Sequence, residues 1–441
     1  ELARSLLLYR YRRLPEARQA AREAGYEGAM FPWQSGSNGR EESQVLHLNP
    51  KSGRWIPDHT RLQRHVNAAI VFNIWQYYQV TNDLEFINSY GGEIILEIAR
   101  FWASCVQYNE ARRRYEIIGV VGPDEYHTAY PDSDRPGLDN NAYTNIMAAW
   151  CLLRALDVIK LLENGHKHQL MTRLGMEEED IQNWKRVSRL MYVPFLEEGK
   201  IINQFEGFED LKELDWEHYH EQYGEILSLD RILEKEGDSV NRYRAAKQAD
   251  VLMLFYLFSS EELTALLNDH MGYSFDSEHI PENIKYYRKI TSHGSTLSQL
   301  IFSWVLARRH RDASWHNFRK ALVSDFEDIQ GGTTHEGIHL GAMAGTIDLI
   351  QRCYCGLEFR EDALWLHPHL PEQIKCIRFS LHYRSHWLEI ELTSGTLHLK
   401  SKGGKEEKIT VVVDGQAYQF EKGKEKRFAI NHAGVVESEK E

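Results

Sequence analysis

The 441-residue chain has few cysteines, few prolines and no long apolar run. Its five cysteines form no CxxC pair and no even set, which argues against a disulfide framework or a zinc site and is typical of a reducing compartment. The longest apolar stretch, 249–258, contains Asp250 and is about half of the ~20 residues that a bilayer requires. We therefore expect a cytoplasmic protein with no membrane partner.

Positive charge is also scarce relative to negative charge, with 52 Lys and Arg against 65 Asp and Glu and a net charge of −13. Binding to nucleic acid requires a cationic face, so no nucleic-acid partner is expected. With 42% hydrophobic residues and 11 prolines, the chain is neither disordered nor collagen-like. Glu1 already lies in a helical pattern without a preceding methionine, which predicts that the chain begins partway into a longer protein.

The spacing of apolar residues divides the chain into two parts. As far as about Arg352, apolar residues recur three and four apart, which predicts helices over 65–81, 84–106, 141–163, 178–191, 245–258, 260–268, 298–309, 315–324 and 337–352. After Gly356 the pattern alternates, with turns at 394–395 and 414–415. We predict a mainly α catalytic domain over 1–355 and a small antiparallel β domain over 356–441. Unequal loops without a fixed repeat favour a closed α/α barrel over a solenoid.

Three long loops contain polar residues suited to chemistry. Segment 119–145 holds Asp124, Glu125 and His127, and a carboxyl beside Tyr126 would be a proton donor if it were desolvated. The alternative is a capping loop with solvated acids, since 139–141 (DNN) predicts a helix N-cap. Segment 291–300 (TSHGSTLSQL) places hydroxyls after a glycine and before a helix, which suits one phosphate or an ordinary Ser/Thr cap.

The third long loop and two smaller features complete the candidates. Segment 331–346 holds His335, Glu336 and His339, but Gly337 interrupts a helix between the histidines, so a metal is not expected. Trp33 and Gln34 offer a ring face and an amide to a sugar, unless Trp33 is a core residue. Lys247 and Gln248 precede an apolar helix, where a lysine either binds a ligand or extends its amine to solvent.

Five motifs in order, VVGPDEYH, DNNAYTN, KQADV, HGSTLS and TTHEGIHLGAMAGT, resemble the disaccharide phosphorylases of glycoside hydrolase family 65, the enzymes of maltose, trehalose and kojibiose phosphorolysis. The resemblance implies an (α/α)6 barrel followed by a C-terminal β-sandwich, with the N-terminal part of the family architecture absent from these residues. It implies that Glu125 is the general acid. By the same resemblance, sugar is bound by Trp33, Gln34, Lys247 and Gln248, and phosphate by Ser295, Thr296 and His339. Ser295-Thr296 replaces the two serines of many members and keeps a hydroxyl.

The chemistry of these residues agrees with the resemblance. An inverting cleavage needs an acid on the side of the leaving group, and phosphate as nucleophile needs no second carboxylate. We expect inverting phosphorolysis of an α-linked glucose disaccharide to β-glucose 1-phosphate and a sugar, with inorganic phosphate as co-substrate and no cofactor. Two alternatives stay open: an inverting α-glucoside hydrolase with Glu336 as base, and a non-catalytic sugar-binding relative. One assembly that we expect for the protein is a homodimer.

Overall fold

The structure is a computed structural model that describes residues 1–224, 226–329, 334–360, 363–404 and 407–430, except for the side chains of Glu198 and Glu336. The chain forms two compact units. The first unit comprises Glu1–Ile74 and Leu84–Ser298, and the second comprises Trp75–Asp83 and Gln299–Glu441. The proposed boundary between residues 355 and 356 stays a prediction.

Helices dominate the first unit, as the three- and four-residue spacing predicts. They are α1 (Leu2–Arg12), α2 (Leu14–Glu23), α3 (Val66–Thr81), α4 (Leu84–Phe86), α5 (Gly92–Cys105), α6 (Ala142–Leu161), α7 (Asn164–Leu174), α8 (Glu178–Leu190), α9 (Trp216–Tyr223), α10 (Leu229–Lys235), α11 (Asp250–Leu257), α12 (Ser260–Thr264), α13 (Ile280–Arg288) and α14 (Thr296–Leu306). Residues 75–81 of α3 and residues 299–306 of α14, which are most of α14, belong to the second unit. Short hairpins lie between these helices: β1 (Leu46–Asn49) with β2 (Arg54–Pro57), β3 (Val106–Asn109) with β4 (Arg114–Ile117), and β5 (Phe195–Leu196) with β6 (Ile201–Ile202).

Helix α6 is a central element of the first unit. Asn141 caps it, because its side-chain oxygen accepts a hydrogen bond from the Thr144 amide at 2.9 Å, and this confirms the predicted N-cap. The helix is long and apolar enough to cross a membrane, but 83% of its most apolar 18-residue stretch is buried inside the protein. Its apolar residues therefore form core.

The second unit contains α15 (Arg311–Val323), α16 (Leu340–Asp348) and two four-stranded sheets. The strands are β7 (Leu357–Arg360), β8 (Ala363–Leu366), β9 (Cys376–Tyr383), β10 (His386–Thr393), β11 (Thr396–Ser401), β12 (Lys408–Val413), β13 (Gln416–Glu421) and β14 (Glu425–Ala429). The sheet orders are β14-β11-β10-β9 and β13-β12-β8-β7. Leu364, Leu388, Leu399, Val411 and Phe428 bury completely in one shared core, so the two sheets form a sandwich.

The turns of the sandwich follow the sequence, but one strand pairing does not. Asp414 and Gly415 have φ of 44° and 83° and join β12 to β13, as expected for a tight hairpin turn. Strand β12, however, pairs in parallel with β8, so the predicted wholly antiparallel β domain is wrong in this detail. A parallel pair needs a long crossover, and the chain supplies it by building β9, β10 and β11 between the two strands. The mainly α class with a C-terminal β domain is confirmed, and closure of the helices into an (α/α)6 barrel stays a prediction.

All five cysteines lie among the described residues, and all five are free. Cys376, at the start of β9, is exposed. Burial raises the pKa of the Cys353 and Cys355 thiols to about 12.

Candidate active site

The loop that precedes α6 is tied to the segment before α11 by Asp124. This side chain is 2% exposed, and its Oδ1 accepts hydrogen bonds from the amides of Lys247 at 2.6 Å and Gln248 at 3.3 Å. Its Oδ2 lies 3.2 Å from Nδ1 of His127. Asp124 therefore holds Lys247 and Gln248 in place, a role that the sequence did not indicate.

His127 strengthens the same connection. Its Nε2 lies 2.9 Å from the Tyr243 carbonyl, which can only accept, so Nε2 carries a proton. Its ring also packs against Phe205 and Phe208 at centroid distances of 5.1 and 5.5 Å. His127 is thus a buried support of the loop.

Glu125 differs from its neighbours in exposure and backbone conformation. Asp124 and Tyr126 are buried, whereas the Glu125 side chain is 28% exposed and its φ is +66°. Its Oε2 lies 2.7 Å from Nζ of Lys247, and its Oε1 accepts a hydrogen bond from Nε2 of Gln63 at 3.3 Å. Both contacts come from hydrogen-bond donors, and Glu125 forms an ion pair with Lys247. Its role as the acid stays a prediction.

Lys247 is the cation of this pair. Burial lowers the pKa of its ammonium, but the charge of Glu125 and their hydrogen bond outweigh this effect, and the charges of Asp230 and Asp124 add to it. The pKa of Lys247 is therefore raised, and the side chain is charged at neutral pH.

Gln248 and Gly294 complete the surroundings of Lys247. Nε2 of Gln248 donates to the Pro123 carbonyl at 2.8 Å. The Gly294 amide donates to the Lys247 carbonyl at 3.0 Å. A Cβ at Gly294 would lie 2.2 Å from the Leu227 carbonyl oxygen, so only glycine allows this approach. The segment that leads into Ser295 is thereby held beside Lys247.

Ser295 and Thr296 lie at the N-terminus of α14. Oγ of Ser295 accepts a hydrogen bond from the Leu297 amide at 3.2 Å, and Thr296 is 6% exposed. The capping interpretation is thus present in the structure. It does not exclude an anion, because the Ser295 hydroxyl proton remains available to a ligand.

Trp33 lies against the entry to α3. Its ring centroid is 5.0 Å from that of His65, which in turn meets the edge of Tyr143 at 5.8 Å. The carboxylate of Glu41 accepts hydrogen bonds from the amides of Trp33 at 2.9 Å and Gln34 at 3.1 Å, and Gln34 is exposed. Glu41 positions this loop and was not identified from the sequence.

His65 and Gln63 were also missed as site residues. Both are buried, and burial lowers the pKa of His65 to about 4 although the charge of Glu125 opposes this. The available signal was a pair of polar residues directly before the apolar helix α3.

A second carboxyl lies behind the loop. Asp250 is fully buried, and burial and then the charge of Asp124 raise its pKa well above the usual range. Its Oδ2 accepts a hydrogen bond from Nδ2 of Asn141 at 2.9 Å. A Cβ at Gly122 would lie 2.4 Å from Nδ2 of Asn141 and 2.5 Å from Oδ2 of Asp250, so only glycine fits at this position of the loop.

His339 belongs to the second unit, at the start of α16. Its amide donates to Oδ2 of Asp325 at 2.8 Å, and its Nδ1 lies 2.5 Å from Oδ1 of the same residue. The hydrogen bond from His339 lowers the pKa of Asp325. A proton on Nδ1 therefore faces Asp325 and leaves Nε2 for a ligand.

Two of the sequence-based hypotheses concern the same region. The side chain of Glu336, the alternative base, lies outside the described residues. In the described part of the chain, no group of three His, Cys, Asp or Glu side chains is arranged to hold a metal ion.

Comparison with known protein families gives two adjacent matches. Residues 1–348 match the central catalytic domain of glycosyl hydrolase family 65, and residues 357–420 match the C-terminal domain of the same family.

Three individual proteins illustrate the similarity. An uncharacterized glycosyl hydrolase of Mycobacterium tuberculosis is 51% identical over 96% of this chain and 32% of its own length. The trehalose 6-phosphate phosphorylase of Lactococcus lactis is 37% identical over 98% of this chain and 54% of its own length. A solved structure assigned as a kojibiose phosphorylase from the human microbiome is 25% identical, with a TM-score of 0.76 over 96% of this chain and 51% of that one. The chain thus spans about half or less of the length of these relatives.

Proposed function

Because the chain belongs to glycosyl hydrolase family 65, as its motifs indicated, we propose that it carries out inverting phosphorolysis of an α-linked glucose disaccharide to β-glucose 1-phosphate and a second sugar. One observation carries the proposal. Glu125, a half-buried carboxyl, is paired with a lysine that is held beside the hydroxyl-bearing start of α14. The names of the phosphorylase relatives support phosphate as the nucleophile.

The proposed cycle begins with the exchange of Lys247 between two partners. In the resting pair Lys247 stabilises the Glu125 carboxylate, which cannot donate a proton. A sugar hydroxyl that draws the ammonium away leaves Glu125 free to take up a proton from solvent. Glu125 then gives that proton to the glycosidic oxygen as the bond to the anomeric carbon breaks.

Phosphate attacks the same carbon from the opposite face, which inverts its configuration. The hydroxyls of Ser295 and Thr296 donate hydrogen bonds to phosphate oxygens in this proposal, and Trp33, Gln34 and Gln248 contact the sugar. The corresponding role of His339 rests on the sequence motif, with Asp325 orienting its ring. No cofactor takes part.

The hydrolase is the second candidate, because the mycobacterial relative is named a glycosyl hydrolase. The test is to incubate the whole protein with α-linked glucose disaccharides, including trehalose, kojibiose and trehalose 6-phosphate, with and without inorganic phosphate. The phosphorylase gives β-glucose 1-phosphate with saturable dependence on phosphate. Glucose release at full rate without phosphate rejects the proposal.

Two further properties are proposed with the activity. A cytoplasmic location is supported by five cysteines that are all free. A homodimer stays a prediction, and gel filtration with light scattering of the whole protein measures it directly.

A further inference from the structure

Three buried acceptor atoms around Glu125 have no hydrogen-bond partner among the described residues. They are Oε1 of Gln63, Nδ1 of His65 and Oε1 of Gln248. The three side chains are only 1%, 7% and 7% exposed. A buried acceptor without a partner costs free energy, so such a group in a native protein calls for an explanation.

The contacts of each side chain fix which of its atoms is the acceptor. Nε2 of Gln63 donates to two acceptors, the Gly122 carbonyl at 3.2 Å and Oε1 of Glu125 at 3.3 Å, so its amide cannot be reversed. Nε2 of Gln248 donates to the Pro123 carbonyl at 2.8 Å, which fixes its amide in the same way.

His65 is fixed by its protonation state and its packing. Burial lowers its pKa to about 4, so the ring is neutral at neutral pH, and it carries its single proton on the nitrogen that bonds to the Val121 backbone. Nδ1 then holds a lone pair. The Trp33 and Tyr143 rings hold the imidazole in place at centroid distances of 5.0 and 5.8 Å.

The chemistry of this group selects its ligand. Three acceptors beside a carboxylate repel an anion, and they have no proton to donate to a phosphate oxygen. Phosphate is therefore not the ligand that we expect here. A neutral molecule with several hydroxyls donates one hydrogen bond to each acceptor, and a glucosyl unit is such a molecule.

We propose that Gln63 and His65 bind the glucosyl unit that is cleaved beside Glu125, each accepting a hydrogen bond from one of its hydroxyls. The inference rests on the proposed function and adds two sugar-binding residues to it. Because each acceptor meets one hydroxyl, these residues discriminate glucose from sugars that lack that group.

Binding of D-glucose and of 2-, 3-, 4- and 6-deoxyglucose to the whole protein, measured by calorimetry, tests the inference. In the wild type, at least two of the deoxy sugars should bind about 3- to 10-fold more weakly than glucose. Gln63→Met keeps the side-chain volume, and His65→Phe keeps the ring contacts. Each variant should lose the affinity difference between glucose and one of the deoxy sugars, and the deoxy sugar concerned should differ between the two variants. His65→Asn restores an acceptor near the position of Nδ1 and should restore the difference.

His386→Phe is the matched control, because His386 is a buried histidine of the sandwich whose Nε2 also lacks a partner among the described residues. It should leave every difference unchanged. The inference is overturned if the wild type binds all the deoxy sugars as tightly as glucose, or if the differences persist in folded Gln63→Met and His65→Phe. In either case, observed phosphorolysis leaves the proposed function standing. If the wild type binds no glucose and forms no β-glucose 1-phosphate, the proposed function and the inference fail together.

Discussion

At the scale of single residues, Glu125 is held by two donors, the ammonium of Lys247 and the side-chain amide of Gln63. An ammonium at 2.7 Å and an amide at 3.3 Å both stabilise a negative carboxylate. In the proposed mechanism, a ligand must therefore engage Lys247 before Glu125 gives a proton.

Glu125→Gln should lower turnover of an unactivated disaccharide about 10²- to 10⁴-fold, because the amide cannot give a proton to the departing oxygen. Steady-state kinetics on a disaccharide and on a glucoside with a good leaving group measure this, and the activated substrate should be partly spared. Glu110→Gln, at an exposed acid after β3, is the control and should be fully active. Near wild-type turnover in Glu125→Gln would remove Glu125 from the role of acid.

His65 gives a prediction about stability and pH. Its pKa is about 4 when folded and 6.5 ordinarily, so between these values the unfolded chain binds a proton that the folded chain does not. Its contribution to stability is present above pH 6.5 and is lost as the pH falls towards 4, by about 2 kcal/mol at pH 5. His65→Asn should therefore show a smaller drop in thermal midpoint between pH 7 and pH 5 than the wild type. Equal drops would contradict the buried neutral ring.

At the scale of elements, the loop before α6 depends on Gly122. Gly122→Ala should cost about 1–3 kcal/mol, because its Cβ would overlap the buried pair of Asn141 and Asp250 at 2.4 and 2.5 Å. Urea unfolding measures this cost. Gly165→Ala is the matched control inside α7, where a Cβ meets nothing within 4 Å, and it should be neutral or stabilising. If the two substitutions change the free energy of unfolding equally, the loop accommodates the Cβ without a loss of stability.

Long helices were predictable, and short strands were not. The sequence pattern located α6 and α8 to within two residues at each end. Helix α6 is apolar along most of its length and follows an Asn N-cap, and α8 has Ile181, Trp184 and Val187 three residues apart on one face. The hairpins β1–β2 and β3–β4 have strands of four residues, too short to establish an alternation. The sequence pattern also did not predict the parallel pairing of β8 with β12, because pairing between distant strands depends on the core that they share.

The site shows the same limit. Glu125 and Lys247 lie in motifs that can be recognised, and the structure brings them into contact. Gln63 reaches Glu125 across 62 positions of the chain, and Asp124 reaches Lys247 across 123. The fold brings these distant residues together, and local sequence patterns do not predict such contacts.

At the scale of the whole molecule, the residues that the motifs assign to phosphate fall in both compact units, Ser295 in the first and His339 in the second. Ser295→Ala and His339→Ala should each raise the KM for phosphate about 10-fold or more, because each removes a donor to an anion. The KM for the disaccharide should change much less, and initial rates over a grid of both substrates separate the two. A His339→Ala variant in which only the disaccharide KM changes would remove His339 from phosphate binding.

The exposure of Cys376 also gives the protein one natural attachment point. Cys151 and Cys355 are buried, and Cys105 and Cys353 are partly buried. Burial raises the pKa of each of these four thiols, so they react more slowly than an exposed thiol in the folded state. A maleimide dye should therefore label the native molecule once, at the first residue of β9, and intact mass should show a single adduct before any other. The wild-type chain could then be immobilised or followed by fluorescence through its sandwich, with no cysteine replaced.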